Sequence, residues 1–470
     1  VVRGVPLESL PRARWTREGS GGLQRRVLIL ALALALLRAP LVAGAGEPDP
    51  WQDVWRGAQV GILAVRSADG QVLLEEGADL LLTPASSLKV VTAAAALRHL
   101  GPQARLATVV RALGPPDASG VVWGDLVLEG GGDATLTRAD LARLADQLRA
   151  AGVRRVEGRL GVDGSVLAGP PLGPGWAWDD ATCDFSAEVR GLTVDHGLAL
   201  VRVAPGPLGQ APLLEDLSSQ GFLQVHNRAR TVPADRPATW DFIRLPGTEG
   251  TALTGEVPAQ APPQEVALAL VDADLFAGHL LRQHLARRGI ATGPVARLPA
   301  RGEPLARHLS APLEEVLRSA LATSDNLVME CLYRLLPEPL AGLPLTPESC
   351  RVVDGSGLSR YNRISARQLV EVLRATPDLR RLLPLAGSEG TMRGRLQGTA
   401  AAASVRAKTG SMSNVSSLCG YLFPGEPDEV VFAIIANGFL ASPSESRRAE
   451  DRLVEALARQ VRPYLIRGRG

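Results

Sequence analysis

Between residues 60 and 79, "VGILAVRSADGQVLLEEGAD" alternates apolar and polar positions on either side of a polar turn at Ala68-Asp69-Gly70, a pattern that predicts a β-hairpin. The alternation gives way to "SSLKVVTAAAALRHLG", where Ala and Leu follow a Ser-rich start and Gly101 marks a stop, as in a helix. From about 105 to 265 the pattern breaks up into short strands such as "GDLVLEG" and "LALVRVAPG", one helix ("RADLARLADQLRAAG") and many Gly and Pro punctuators. That region reads as inserted, β-rich material. Helical periodicity returns from about 266 in "DADLFAGHLLRQHLARRG", "PLEEVLRSALATS", "NLVMECLYRLL" and "SARQLVEVLRATP". Two strand candidates follow, "SVRAKTG" running on to "NVSSLCGYLF", and "EVVFAIIANGF". In the final helix Leu453, Val454, Leu457, Val461 and Leu465 form one apolar stripe suited to packing on a sheet.

Ahead of the hairpin, six arginines (Arg3, Arg12, Arg14, Arg17, Arg25 and Arg26) precede the apolar run "VLILALALALL" and then "APLVAGAG". Ala43-Gly44-Ala45 fits the small-x-small pattern of a cleavage site, so residues 1–45 read as an export signal peptide. The run is short for a bilayer span, and no later segment is long and apolar enough for one. The expectation is an exported protein, periplasmic or otherwise extracytoplasmic, with at most peripheral membrane contact.

A chain of 470 residues has room for two or three domains, and 46% hydrophobic with 21% charged residues is ordinary for a globular protein. A formal net charge of +2 supplies no field to attract nucleic acid. Cys183, Cys331, Cys350 and Cys419 are widely spaced, with no CxxC, HExxH or Cys/His cluster, so no metal is expected. They are compatible with disulfides, whose pairing the spacing leaves open, or with buried thiols. Neither lysine has a P-loop context, and no cofactor is expected.

Those lysines carry the chemistry. Among 51 Lys and Arg residues only Lys89 and Lys408 are lysine. Lys89 follows Ser86 by three residues at the predicted helix start, which puts amine and hydroxyl on one face. A serine alcohol is a poor nucleophile until a base takes its proton. Lysine can be that base when burial or a nearby cation depresses its pKa; arginine stays protonated. The helix N-terminus adds donors where an acyl oxyanion would develop. In "RAKTGSMS" the compact ammonium of Lys408, beside Thr409 and the backbone of Gly410, suits a carboxylate. Between the two lies "SDN": Ser324, Asp325 and Asn326 fall on a break between helices, where Ser can pass a proton and Asn can grip a peptide amide. Each triplet is a weak signal alone, but together they stand in the S-x-x-K, S-x-N, K-T-G order of a serine acyl-transfer class.

With these motifs the chain resembles the penicillin-recognising serine DD-peptidases, in particular the D-alanyl-D-alanine carboxypeptidase/endopeptidase family of class C low-molecular-mass penicillin-binding proteins. Longer strings extend the resemblance from about residue 50 to 460: "GDLVLEGGGDATLT", "DGSGLSRYNRIS", "AGSEGTMRGR" and "VRAKTGSMSNVSSLCGYL". It implies an α+β fold: a transpeptidase/β-lactamase-like domain, an antiparallel sheet flanked by helices, formed by residues 46–104 and 266–465 around β-rich inserted domains at 105–265. It further implies that Ser86 attacks the carbonyl between two D-alanines with Lys89 as base. Ser324 would relay a proton to the leaving amine. Asn326 would hold the substrate amide, and Lys408 and Thr409, within the Lys-Thr-Gly-Ser run that includes Gly410 and Ser411, the terminal carboxylate. The backbone N–H groups of Ser86 and Ser411 would form an oxyanion hole. The partners implied are peptidoglycan peptides ending in D-Ala-D-Ala, and β-lactams as covalent inhibitors.

Two other readings stand beside this one. A β-lactamase of the same fold would need a dedicated base for deacylation, and no glutamate in a recognisable deacylation loop is evident. A non-catalytic cell-wall scaffold would have no reason to exclude Arg at both lysine positions. Elsewhere the plainer readings are preferred. Ser87 reads as a cap or packing residue, Asp325 as structural, "DGSGLSR" as a loop bordering the cleft and "GWAWDD" as a packed loop rather than an aromatic glycan surface. His99, His196, His226, His279, His284 and His308 show no paired spacing.

Overall fold

The alternating residues of the first hairpin become the antiparallel strands Gln59–Arg66 and Val72–Glu76, and their partners come from the far end of the chain. The computed structural model describes residues 51–245, 250–399 and 401–463; the export signal expected at 1–45 lies outside them. Strand Gln59–Arg66 pairs along its whole length with Val430–Asn437, which pairs with Val415–Leu422, which pairs with Val405–Met412. The result is a five-stranded antiparallel sheet with Val405–Met412 on one edge.

Both faces of this sheet are covered, so its central strands are buried almost throughout. The side-chain period of two divides them cleanly. Cys419, Tyr421, Val431, Ala433 and Ile435 join one core with residues of the helices Lys89–Leu100, Leu313–Thr323, Asn326–Leu335 and Ala366–Ala375. Leu418, Leu422, Phe432, Ile434 and Ala436 face a second core, built with Leu453, Val454 and Leu457 of the helix Pro443–Val461. That helix starts at a Ser442/Glu445 capping box with proline in its first turn.

The inserted region builds its own layer. A sheet of strands Val295–Arg297, Leu160–Asp163, Leu126–Glu129, Ala107–Ala112 and Glu303–Leu309, in that order, shares a core with the helices Arg138–Ala150 and Ala273–Arg287. Smaller sheets lie between 198 and 269. The boundary expected at 265/266 therefore falls inside the insertion. Helix Ala273–Arg287 buries Phe276, Leu280 and Leu281 against the inserted sheet, and Glu303–Leu309 is one of its strands. The next helix to pack in the first core is Leu313–Thr323. An apolar stripe at helical spacing looks the same whichever core it covers, so periodicity could not place this break. The first and last strands of the inserted sheet, Ala107–Ala112 and Glu303–Leu309, pair antiparallel. This brings the two ends of the insertion together and leaves the parent fold undisturbed.

All four cysteines are free: Cys331, Cys350 and Cys419 are buried and Cys183 is partly so. Among the described residues no helix is long and apolar enough to cross a membrane.

Candidate active site

Pro84 leads into a 3-10 turn, Ala85–Leu88, that runs directly into the helix Lys89–Leu100. Ala85 has a φ of 47°, a left-handed conformation that costs an alanine about 1–2 kcal/mol. The turn is held by its neighbours. A Cβ on Gly357 would lie 2.0 Å from the Ala85 carbonyl oxygen, so only glycine lets that loop back onto the turn. Ser86 is thereby presented at the surface of the fold, half-buried, while Ser87 points inward to Ser417 Oγ at 2.8 Å, the packing role expected of it.

Lys89 is fully buried. Its Nζ lies 2.8 Å from Ser86 Oγ, 2.6 Å from Asn326 Oδ1 and 2.6 Å from the Ser356 carbonyl oxygen. Two of these three are pure acceptors, which a neutral amine satisfies with its two N–H bonds. The lone pair then faces the remaining partner, the Ser86 hydroxyl. Burial drives the amine in the same direction. It brings the Lys89 pKa from its ordinary 10.5 down to about 7, against the opposing charges of Asp354, Asp325 and Glu330. A free amine at that pKa rises from about a tenth of the population at pH 6 to about nine tenths at pH 8. With Ser86 as the nucleophile that the sequence resemblance implies, its acylation rate would climb over the same interval with a midpoint near pH 7, measurable as the second-order rate of penicillin labelling against pH.

Lys408 is equally buried. Its Nζ donates to Ser324 Oγ at 3.0 Å and to the Thr409 carbonyl at 2.8 Å. Burial and the charge of Lys89 push its amine well below the ordinary lysine range. A carboxylate arriving beside it would favour the ammonium again. Ser324 ends the helix Leu313–Thr323 in a left-handed conformation, φ 65°, and Asp325 caps the next helix, its Oδ1 accepting from Val328 N at 2.9 Å. Asp325 is thus structural, as expected. Asn326 spans the site: its Oδ1 accepts from Lys89, and its Nδ2 donates to the Phe185 carbonyl of the inserted region at 2.8 Å.

Strand Val405–Met412 borders the cleft with its free edge. On that edge Ala407 N donates to the Pro384 carbonyl, and the Val405 carbonyl accepts from Ala386 N. Alternation puts the backbone groups of Thr409 and Ser411 on the same side. Ser411 N–H is therefore available to an oxygen in the cleft, as is usual at a sheet edge. Thr409 Oγ1 lies 2.9 Å from Thr391 Oγ1. Gly410 has a packing role of its own: a Cβ there would meet Ser417 Oγ at 2.3 Å, Pro84 O at 2.8 Å and Ser87 N at 2.9 Å. Its lack of a side chain lets the strand press against the Ser86 turn. Gly410→Ala should cost roughly 1–3 kcal/mol in a denaturant melt, as overpacked cores do, and slow labelling by moving the two apart.

The cleft holds about 550 Å³ and is lined by Ser86, Ser324, Asn326 and Ser411, with Asp179 and Asp180 contributed by the inserted region and Arg360 by the 354–362 loop. That loop is organised by Asp354, which the triplets do not reveal. Asp354 Oδ2 accepts from Trp176 Nε1 (2.8 Å), Ser356 Oγ (2.8 Å) and Ser359 N (3.0 Å), and Oδ1 from Gly357 N (3.0 Å) and Asn362 Nδ2 (2.7 Å). "GWAWDD" accordingly divides: Trp176 is packed, Trp178 is 72% exposed, and its two aspartates face the cleft.

The family model described as "D-Ala-D-Ala carboxypeptidase 3 (S13) family" matches residues 51–460. A D-alanyl-D-alanine carboxypeptidase of Actinomadura sp. (strain R39) is 34% identical over 490 residues, covering 93% of this chain and 91% of that protein. The D-alanyl-D-alanine carboxypeptidase DacB of Haemophilus influenzae is 26% identical over 453 residues, covering 88% of this chain and 93% of that one. The crystal structure of penicillin binding protein 4 from Haemophilus influenzae superposes with a TM-score of 0.79 at 25% identity, over 87% of this chain and 98% of that chain.

Proposed function

The chain belongs to the D-Ala-D-Ala carboxypeptidase 3 (S13) family and is a serine-type peptidase of that class, and we propose that Ser86 is its nucleophile and Lys89 the base that activates it. One observation carries this assignment: the buried Lys89 amine has two carbonyl acceptors and a single hydroxyl within reach. Ser86 Oγ attacks the carbonyl carbon of the D-Ala-D-Ala bond as its proton passes to Lys89 Nζ. The oxyanion is received by the N–H groups of Ser86 and Ser411. The proton taken up by Lys89 returns to the departing D-alanine nitrogen by way of the Ser324 hydroxyl, which gains one proton as it gives another, and Lys408, hydrogen-bonded to Ser324, holds the terminal carboxylate with Thr409. Asn326 orients the peptide amide. Water then hydrolyses the ester on Ser86. The same acyl-enzyme route accounts for β-lactams as covalent inhibitors, since their leaving amine stays tethered and blocks the cleft. Cross-linked muropeptides, in which a D-alanine carbonyl is joined instead to an amine of the second stem, are the endopeptidase substrates. These substrates lie outside the cytoplasmic membrane, where the Arg-rich, apolar leader would direct the protein.

Fluorescent penicillin tests the reading. Stable labelling that maps to Ser86, together with release of D-alanine from a D-Ala-D-Ala pentapeptide, is the expected result. Rapid turnover of the penicillin label would make the protein a β-lactamase, and no label at all would leave a scaffold.

A further inference from the structure

His196, which sequence spacing left without a partner, is brought by the fold to Asp325: its Nδ1 lies 3.2 Å from Asp325 Oδ2. The turn that carries it there runs against local preference. Asp195 (φ 49°) and His196 (φ 56°) are both left-handed and are followed by Gly197 at φ 65°. Two successive non-glycine residues in that region persist only where the surroundings over-determine them. Here they do. Asp195 N donates to the Leu136 carbonyl at 2.9 Å, and Leu270 N to the Gly197 carbonyl at 2.9 Å. Arg138 grips the Asp195 carboxylate through its backbone N at 3.1 Å and its Nε at 2.6 Å. All these anchors belong to the inserted region, whereas Asp325 belongs to the catalytic core.

Asp325 uses Oδ1 to cap its helix, which leaves Oδ2 to the imidazole. The carboxylate is also close enough to Lys89 to favour that amine's charged form, together with Asp354 and Glu330. We propose that His196 is a positioning residue for the acyl-transfer reaction, through which the inserted region acts on Lys89. Its imidazole holds the Ser324-Asp325-Asn326 turn in place and, when protonated, offsets the Asp325 charge so that Lys89 releases its proton more readily. This inference rests on Lys89 being the base. The groups that face His196 are Asp325, Asp195 and Asp133; Asp195 is engaged by Arg138, and Asp133 lies 3.8 Å from His308. The hydrogen bond and charge of Asp325 hold the imidazole above its ordinary pKa, against its partial burial, so a protonated fraction persists toward the range in which Lys89 titrates.

The test is the second-order rate of acylation by fluorescent penicillin between pH 5.5 and 9, measured for the wild type, His196→Asn, Asp325→Asn and the double variant. Asparagine tolerates the left-handed backbone and keeps a donor at 196; at 325 it still caps the helix. Thermal melts confirm that the variants fold. In His196→Asn the acid limb should move to higher pH by several tenths of a unit, a loss of about two- to threefold at pH 7, with rates at pH 9 unchanged. In the Asp325→Asn background the change at 196 should move nothing. A fall by one factor at every pH would reveal a merely structural contact and overturn the proposal. An unmoved profile, or a shift that survives without Asp325, would do the same. If the wild type itself takes no label, the acyl-transfer reading fails first and this inference falls with it, so the two failures are distinguishable.

Discussion

Replacing Ser86 by alanine should eliminate the covalent penicillin adduct and reduce D-alanine release by about 10⁴-fold or more, as loss of a serine nucleophile does elsewhere. The side chain is half-buried and its Oγ is one of three partners of Lys89 Nζ. Alanine removes one oxygen without opening the core, and the melting temperature should stay near that of the parent. Intact-protein mass spectrometry after incubation with a β-lactam gives the answer directly. An adduct that persists in Ser86→Ala would move the nucleophile elsewhere, with Ser324, Ser411 and Ser413 the other hydroxyls lining the cleft.

Lys89→Arg should be almost as damaging although it preserves the charge. A guanidinium does not surrender its proton in a protein, so the hydroxyl of Ser86 would lose its acceptor. General-base catalysis contributes about 10²–10⁴-fold; acylation should fall by that factor above pH 7, where the parent's amine is free, and the rise near pH 7 should disappear. Arg is also larger than the fully buried space Lys89 fills. Lys89→Met therefore serves as a companion, because it keeps an unbranched chain and removes the buried amine altogether. It should be equally inactive, and a denaturant melt reads the balance between removing a group costly to bury and leaving Asn326 Oδ1 and the Ser356 carbonyl without their donor. Activity within tenfold of the parent in either variant would exclude the base role. Measuring both stability and acylation separates lost chemistry from lost structure.

Some parts of this site are visible in the sequence because they depend on side-chain identity at short range. Ser86 and Lys89 are three residues apart on one turn, so their contact needs only a helix start. Lys408 and Thr409 sit on a strand recognisable from its alternation, and the final helix announces its apolar stripe. Other parts left no such trace. The Ser356 carbonyl that holds Lys89 and the Phe185 carbonyl that holds Asn326 are backbone atoms, which every residue possesses. Asp354 looks like any loop aspartate until five donors converge on it. Gly410 reads as part of a binding motif, yet the space it leaves is for Pro84, Ser87 and Ser417.

The sequence by itself determined the chemistry available to this protein: a hydroxyl and an amine one turn apart, a second amine beside Thr409, and a family-wide motif order around a long insertion. It also determined which elements form, because periodicity and capping act within a few residues. Only the tertiary structure decided what those elements do to one another. It closed the main sheet with strands from both chain ends, and it carried helix Ala273–Arg287 into the insertion and past the expected boundary. It also buried both lysines and brought His196 to Asp325 from the inserted layer. Burial and long-range contact are properties of the packed chain as a whole, and the desolvation that shifts an amine by several pH units has no counterpart in local sequence.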